Sequence, residues 1–347
     1  MANFETGRSI FYHAFTGLRS AAGITIILTI VAAVLATIDK GAFILVNTVV
    51  TGGMWALLAI GLSLMFSVMN IPNFSYGEYF MIGTLSAYFI FTPLNNYLGE
   101  NPNTFLTVVA PLIAVFGAMS VGVLAGAIIE KLVFYQLRKR TREQWLLNCF
   151  VLTVGLSVIL INGHQLIFGT EFKGIVAYWD VPSVSFFNVY ISVERIFAFF
   201  LAMIAMIIFW AFLKFSKTGR AIRAVSQDET GAQMVGIDLN GIQTLTMALS
   251  GGMAAIAGAS LLFMFPSYPT VGLKPLYVAW FVVIVAGLGN VAGAVVGGFI
   301  VALLQVLTAV YAGEGWGFVI PSALIIVILV FKPSGIFGSE VRGIWDQ

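Results

Sequence analysis

Glu78 is the residue whose type and position most suggest chemistry, because it follows a polar, proline-containing interruption between two apolar segments of membrane-spanning character. In hydrocarbon each unpaired backbone N–H or C=O costs several kcal/mol, so such an interruption persists only where protein or a water-filled cavity surrounds it. The break therefore predicts a path for a polar solute. Its candidate lining residues are Asn70, Asn73, Phe74, Tyr76 and Glu78.

A structural role is the second interpretation of Glu78. Ser75 lies three residues before it, which is the spacing of a helix capping box. A carboxylate in the first turn of a helix is also stabilised by the helix dipole. The two roles are compatible, and the residues alone leave both open.

A similar break occurs in the second half of the chain, at Gly287, Gly289 and Asn290. Two breaks in opposite halves are what an internal repeat with discontinuous helices would produce. No residue-level similarity between the halves accompanies them. We assign these three residues to the same candidate path.

A basic segment, residues 214–242, separates two apolar runs. Between residues 218 and 235 apolar side chains recur at helical spacing, with Arg220 and Arg223 on the polar side and Gly236 as a stop signal. The pattern predicts a short helix at the membrane surface. Taken alone, it is typical of an interfacial helix in a positively charged loop.

Patterns for catalysis and metal binding are absent from the sequence. No Walker A motif and no Gly-Lys dipeptide occur, which excludes ATP binding by a P-loop. H-E-x-x-H and G-x-S-x-G motifs are also missing, and His13 and His164 have no partners at ligand spacing. Cys149 is the only cysteine and is expected to be a packing residue. We therefore predict a protein that is not an enzyme and that holds no cofactor or metal.

Composition defines the class of protein. Of the 347 residues, 60% are hydrophobic and 9% charged, with a mean hydropathy of +0.99, which a water-soluble domain could not carry without aggregating. The apolar runs suit helices of ~20 residues and do not alternate like barrel strands. The predicted fold is all-α: a polytopic integral membrane helical bundle with discontinuous or re-entrant helices, eight to ten transmembrane segments and one domain, residues 1–347.

Ten apolar segments are candidate spans. Two of them, 77–91 and 276–288, are shorter than the hydrocarbon thickness and are candidate re-entrant half-helices. The first span, 21–38, resembles a retained signal anchor and is expected to be an additional peripheral helix. The complete set is 21–38, 42–69, 77–91, 104–134, 145–168, 196–213, 245–265, 276–288, 291–311 and 318–331.

Basic residues predict the orientation. With the N-terminus in the cytoplasm, only Lys40, Lys173, Arg195 and Lys274 of the 17 basic residues lie outside, in accordance with the positive-inside rule. Both termini are therefore expected in the cytoplasm. The charged block at residues 130–140 is explained by side chains that reach cytoplasmic lipid headgroups. A net charge of +2 gives no reason to expect a nucleic-acid partner.

Two outer loops are predicted, at residues 95–103 and 170–194. In the second, residues 182–187 favour a short strand or interfacial structure. The alternatives for this loop are a plain linker and a docking surface for a partner.

The break also carries a family resemblance. The run from Asn73 to Glu78, N-F-S-Y-G-E, resembles the "NFAHGE" signature of the membrane permeases of branched-chain amino acid ABC importers, with Ser75 and Tyr76 in place of the usual Ala and His. Residues 285–298 are similar to the family's "LGGxGSxxGAxxGG" block, and residues 130–140 to its "IER…YRPLR" block. Residues 214–238 resemble its coupling loop, so the matching blocks extend over residues 45–337.

The resemblance implies a permease subunit with alternating access driven from outside this chain. ATP and Mg would be bound by separate ABC ATPase subunits, and the other partners would be a second permease chain, identical or different, and an extracytoplasmic substrate-binding protein. The implied location is the cytoplasmic (inner) membrane of a bacterium or archaeon, with membrane lipid around a multi-pass chain. In the coupling loop, 214–242, the resemblance assigns ATPase contact to Gly219, Arg220, Arg223, Ala224, Asp228 and Gly236.

Branched-chain amino acids are the solute that the resemblance implies, and related permeases carry other amino acids, urea or short amides. The alternative function is a stand-alone secondary transporter or channel for a small solute. A secondary transporter would need an ion-coupling site, for which Glu78 is the one candidate carboxylate. An intramembrane enzyme, the most distant alternative, would need a paired nucleophile and base, and the sequence offers none.

Overall fold

The computed structural model describes residues 21–338 except 141–144, 176–177, 180–181 and 187–188, and His13 lies outside these residues. Most described residues are helical. In chain order the elements are α1 (Ala21–Lys40), α2 (Phe43–Met69), α3 (Tyr76–Glu100), α4 (Thr104–Ile129), a π-helical turn (Glu130–Phe134), α5 (Tyr135–Arg140), α6 (Trp145–Phe168), β1 (Val184–Phe186), β2 (Val189–Ile191), α7 (Val193–Phe215), α8 (Lys217–Gln227), α9 (Glu229–Met234), α10 (Leu239–Leu261), α11 (Leu273–Ala286), α12 (Val291–Ala312), a 3-10 turn (Glu314–Trp316) and α13 (Val319–Phe331).

Within the described ranges, eight helices are long and apolar enough to cross a membrane, which confirms the predicted fold class. The longest is a continuous rod, Thr104–Arg140, formed by α4, the π-helical turn and α5. The first is α1, which is almost entirely unburied and therefore peripheral, as predicted.

Of the two short candidate spans, one is as short as predicted and the other is longer. Helix α11 has 14 residues and a length of roughly 21 Å, so it is shorter than the hydrocarbon, as predicted. The prediction of a half-helix at 77–91 is wrong, because α3 continues to Glu100 and its 25 residues span roughly 37 Å. Asn95 and Asn96 lie inside this helix, and their polarity hid its length from the sequence pattern.

The two predicted outer loops also differ. The loop at 95–103 is reduced to residues 101–103, and the Asn103 side chain accepts hydrogen bonds from the N–H groups of Phe105 (3.0 Å) and Leu106 (3.2 Å) to begin α4. The predicted strand near residues 182–187 is confirmed. It is β1, which pairs antiparallel with β2 in a register that places Val184 opposite Ile191.

Two sets of three helices, α2–α3–α4 and α10–α11–α12, form the centre of the bundle. Helix α2 packs most extensively against α12, and α4 packs to the same extent against α10, so each set reaches across to the other. This exchange of outer partners is the arrangement that an internal repeat produces. The contacts agree with an internal repeat, which stays a prediction, but the break at residues 287–290 follows α11 whereas the break at residues 70–75 precedes α3.

Glycine makes the close contact between α4 and α10 possible. A Cβ atom at Gly122 would overlap the backbone of Gly251, and one at Gly126 would overlap the carbonyl group of Met247. Small residues allow helix backbones to approach in this way where lipid supplies no hydrophobic force between helices. The glycine face of α4, formed by Gly122 and Gly126, therefore packs within one chain.

The charged block at residues 130–140 contains a buried ion pair. Glu130 is 1% exposed and accepts hydrogen bonds from the guanidinium of Arg138 and from the Thr244 hydroxyl (2.7 Å). For Glu130 and Arg138 the predicted explanation, contact with lipid headgroups, is wrong. A buried carboxylate needs such hydrogen-bond partners. The network of Glu130, Arg138 and Thr244 ties the end of the α4 rod to the start of α10.

We predict that Gly126→Ala lowers the free energy of unfolding by about 1–3 kcal/mol, because the added methyl group overpacks the contact with α10. The matched control is Gly155→Ala on α6, where an added Cβ has no neighbour within 4 Å. That substitution should be neutral or stabilise by up to ~1 kcal/mol through helix propensity. Thermal unfolding in mild detergent measures both, and equal melting temperatures would contradict the packing assignment.

Candidate functional site

The break between α2 and α3 begins at Asn70. This residue is the only non-glycine with a positive φ, 52°, in the described part of the chain. Asn tolerates the left-handed conformation better than most residues, and its N–H group still bonds to the Phe66 carbonyl (2.9 Å). Pro72 then prevents the helix from continuing. Asn70 itself is exposed at the end of α2.

Asn73 holds the remainder of the break together. Its side-chain oxygen accepts hydrogen bonds from the Ser75 N–H (2.8 Å) and from the Ser75 hydroxyl (2.7 Å). Its amide nitrogen lies 3.2 Å from the sulfur of Met65. Both Asn73 and Ser75 are fully buried, so Asn73 supports the backbone of the break rather than facing an open channel.

The predicted capping box at Ser75 and Glu78 is wrong. The Ser75 hydroxyl is engaged by Asn73 and makes no cap hydrogen bond. Glu78 instead reaches across to α6, where the Ser157 hydroxyl donates to its Oε1 (2.5 Å). Its Oε2 has no hydrogen-bond partner among the described residues, although Glu78 is fully buried. The first turn of α3 supplies a favourable dipole for this carboxyl group.

Contacts between α3 and α6 define the depth of Glu78. The Thr153 hydroxyl lies 3.3 Å from the Pro72 carbonyl oxygen, and the rings of Phe89 and Phe168 are 5.3 Å apart. The helices therefore run parallel, and Ser157, the partner of Glu78, is close to the middle of the 24-residue α6. A carboxyl group at this depth is costly, which is why such residues usually have a function or a firm partner.

Helices α3 and α11 begin against one another at Gly77 and Gly272. A Cβ atom at either position would overlap the backbone of the other residue, so only glycine permits the contact. The facing break is therefore the segment 262–272, which precedes α11, and not the predicted one at residues 287–290. Two helix N-termini concentrate unpaired N–H groups and positive partial charge at this point.

Phe74 and Tyr76 belong to packing contacts on either side of the break. The Phe74 ring stacks on Trp280 of α11 (5.3 Å between centroids) and meets Phe150 of α6 edge-on (5.1 Å). Tyr76 is fully buried, and its hydroxyl donates to the Leu58 carbonyl (2.9 Å) with Ser250 O at 3.5 Å. Tyr76 thus joins α2 to α10.

Gly287, Gly289 and Asn290 lie at the far end of α11, and the structure does not bring them next to Glu78. Gly287 and Gly289 have φ values of 91° and 80°. Asn290 begins α12 by accepting from the Gly293 N–H (2.8 Å) and donates to the Phe337 carbonyl (2.8 Å). Gly289 approaches Ser67 near the end of α2, so this group lies at the same end of the bundle as Asn70.

Several functional candidates were missed in the sequence because isolated hydroxyls carry little signal. Buried hydroxyls without a hydrogen-bond partner among the described residues occur on α2, α3 and α10: Thr48, Ser63, Tyr79, Thr246 and Ser250. Ser157 was also missed. It could have been found from the residues of α6 that are buried, Cys149, Thr153, Ser157 and His164, which recur at helical spacing in an otherwise apolar run.

Residues 214–242 form two short helices instead of the single predicted one. The Ser216 side chain accepts from the Gly219 N–H (2.7 Å) to begin α8, and Asp228 accepts from the Gly231 N–H (3.0 Å) to begin α9. Asp228 interrupts the helix because its extended backbone supports this second cap. Gly236 ends the segment with a φ of 86°.

The six residues assigned to ATPase contact differ in exposure. Gly219 is buried against the backbone of α7, where a Cβ would overlap Leu213, so it positions α8. Arg220 and Arg223 are exposed, and Arg220 donates to the Phe215 carbonyl (3.2 Å). Ala224 is half-buried, whereas Asp228 and Gly236 are exposed.

The arrangement is suited to conformational change. The interior of the bundle contains unwound backbone, two facing helix starts, unpaired hydroxyls and a buried carboxyl group. No group of three or more His, Cys, Asp or Glu side chains that could hold a metal ion occurs within the described ranges. The polar groups can serve a solute or a rearrangement of α3 against α11.

Known proteins match nearly the whole chain. Residues 44–329 match the family described as "Branched-chain amino acid transport system / permease component". LivH of Salmonella typhimurium, a high-affinity branched-chain amino acid transport system permease protein, is 28% identical over 297 residues, 84% of this chain and 94% of that protein. BraD of Pseudomonas aeruginosa, with the same description, is 29% identical over 300 residues, with coverages of 85% and 94%. A probable LivH of Methanocaldococcus jannaschii is 28% identical over 311 residues, with coverages of 86% and 92%.

We predict that Ser157→Ala destabilises the chain by about 1.5–3 kcal/mol, because it removes the hydrogen bond to the buried Glu78 carboxyl group. The control is Ser120→Ala on α4, whose hydroxyl bonds only to Phe116 O (2.9 Å) on an exposed face and should change stability by less than about 0.5 kcal/mol. Thermal unfolding in detergent measures both. In a Glu78→Ala background the Ser157 effect should shrink, and an undiminished effect would contradict the pairing.

Proposed function

Because the chain belongs to the family of branched-chain amino acid transport permeases, we propose that it imports branched-chain amino acids by alternating access, with ATP hydrolysed on separate ABC ATPase subunits. It is a multi-pass membrane protein and the permease subunit of such an importer. Leucine, isoleucine and valine are the proposed solutes, because the relatives LivH and BraD are described as permeases for branched-chain amino acids. In this proposal the chain has no catalytic site or cofactor of its own.

The observation that carries this proposal is the form of the α8–α9 segment. It is an independent unit with its own caps, anchored by buried Ile222 and Val225. Its exposed residues include Arg223 and two large apolar side chains, Met234 (82% exposed) and Val235 (78% exposed). An exposed surface of this kind is suited to a protein partner, which we propose to be the ATPase.

The proposed orientation in the membrane follows from the basic residues of the same segment. Lys214, Lys217, Arg220 and Arg223 all lie at the end of the bundle that carries α8 and α9. The positive-inside rule places this end in the cytoplasm, where the ATPase subunits and both chain termini would lie. The opposite end, with the β1–β2 hairpin, would then receive the substrate-binding protein. A second permease chain, identical or different, would complete the pathway.

Alternating access would act on the contact between α3 and α11. Both helices begin inside the bundle, and their glycines allow backbones to slide without a side-chain barrier. Asn70, Gly287, Gly289 and Asn290 would lie at the cytoplasmic end of the path, whereas Asn73, Phe74, Tyr76 and Glu78 support its interior. The unpaired hydroxyls of Ser63, Tyr79 and Ser250 are available to a polar solute in a rearranged state.

Purification of the tagged chain in mild detergent, followed by mass spectrometry, tests the assembly. We expect ATPase subunits with a Walker A motif and a second permease chain to co-purify. Reconstituted with these partners, the complex should take up labelled leucine only when ATP is present on the ATPase side. A stable lone chain that moves leucine without ATP would replace this proposal with the secondary transporter.

We predict that Arg220→Glu with Arg223→Glu uncouples ATP hydrolysis from leucine uptake, because charge reversal on the exposed face of α8 disrupts the ATPase contact. Uptake in reconstituted vesicles should fall at least tenfold while the chain still inserts in the membrane. Lys139→Glu, an exposed charge reversal on α5, is the control and should leave uptake within about twofold. Unchanged uptake in the α8 variant would contradict the coupling assignment.

A further inference from the structure

A polar pocket of about 560 Å³ lies beneath the bundle, between α9, the start of α10 and the ends of α2 and the α4–α5 rod. Its charged and polar lining residues include Arg138, Glu229, Asp238 and Gln243. Met69 and Trp145 contribute apolar surface. We call it the inner pocket. It lies apart from Asn73 and Glu78, neither of which lines it.

Arg138 forms the donor side of the inner pocket. One nitrogen of its guanidinium bonds to buried Glu130, which fixes the side chain in place. The remaining Nε and Nη1 atoms are buried and have no hydrogen-bond partner among the described residues. Unpaired buried donors on a charged group are costly, so a bound anionic group would stabilise them.

Acceptor groups line the same pocket. Gln243 is 5% exposed, and its side-chain oxygen has no hydrogen-bond partner among the described residues. Glu229 and Asp238 add two carboxylates from α9 and from the start of α10. These oxygens suit a cationic donor such as an ammonium group.

We propose that the inner pocket binds a free α-amino acid with an aliphatic side chain. Its carboxylate would bond to Arg138, its ammonium group to Gln243 with Glu229 and Asp238, and its side chain to Met69 and Trp145. A zwitterion binds the donor side and the acceptor side of the pocket at once. A simple anion or a simple amine would bind only one of them. The volume is ample for a solute the size of leucine.

The pocket joins the α8–α9 segment to the bundle. Glu229 belongs to α9, whereas Arg138 is held by the network that ties α5 to α10, and Gln243 lies on α10 next to Thr244 of that network. A bound amino acid would therefore restrain α9, and amino acid accumulated in the cytoplasm would slow its own uptake. This consequence rests on the proposed function and orientation, but the binding chemistry rests on the pocket alone.

Binding is tested with the full chain in lipid nanodiscs without partner subunits. L-Leucine is titrated by calorimetry and by tryptophan fluorescence, since Trp145 lines the pocket. We expect saturable binding of leucine and at least tenfold weaker binding of leucinamide, which lacks the carboxylate, and of 4-methylpentanoate, which lacks the ammonium group. Trp145→Phe should remove the fluorescence change while the calorimetric signal remains.

Variants locate the binding. Glu229→Gln should weaken leucine binding about threefold to tenfold and reduce the preference over 4-methylpentanoate. Gln243→Ala should weaken it about tenfold. The exposed control Lys139→Gln should have no effect. Arg138 is left unchanged because it also pairs with Glu130.

Absence of saturable leucine binding to a chain that still unfolds cooperatively would overturn the proposal. Binding lost in Glu78→Ala but retained in Glu229→Gln and Gln243→Ala would also overturn it, because the site would then be the transport path. Failure of ATP-driven uptake in the complete complex, with pocket binding retained, would count against the proposed function instead.

Discussion

The contact between Gly77 and Gly272 is the constraint on which the architecture depends. Two helices begin against each other inside the bundle, and a single methyl group at either position would separate them. Their unpaired N–H groups make this a region of positive partial charge, which Glu78 offsets from the first turn of α3. Ser157 then secures that carboxyl group from α6. The irregular segments on both sides exist because these helices must start at this depth.

A second polar network fixes a different pair of helices, α4 and α10. Glu130, Arg138 and Thr244 join the α4 rod to α10, directly beneath the glycine contact of Gly122 and Gly126. Breaking one member of a buried charged network leaves the others without compensation, so the network enforces one arrangement of the two helices. The bundle therefore combines an α4–α10 pair fixed by charge and glycine packing with an α3–α11 pair fixed by glycine packing at the helix starts.

The class of fold and the family were predictable from the sequence. Hydropathy sufficed for most spans, and the match over residues 44–329 confirms the resemblance seen at residues 73–78. The predictions that failed have different physical causes. Ser75 has the spacing of a cap, yet Asn73 captures its hydroxyl. Glu78 pairs with a serine 79 residues away, which no local pattern reveals. The polar end of α3 hid a long helix because hydropathy does not report helix continuity.

The exchange of partners between the two halves also has a consequence for biosynthesis. Helix α2 is inserted early, but the Trp55 side chain on it bonds to Gln305 of α12 (2.9 Å), 250 residues later in the chain. At translation rates of about 5–20 residues per second, α2 waits roughly ten seconds or more for this partner. During that interval its buried polar face, including Ser63, has no native neighbour on α12 or α10. Helix α2 therefore reaches its native contacts with α12 only after the last third of the chain has been made.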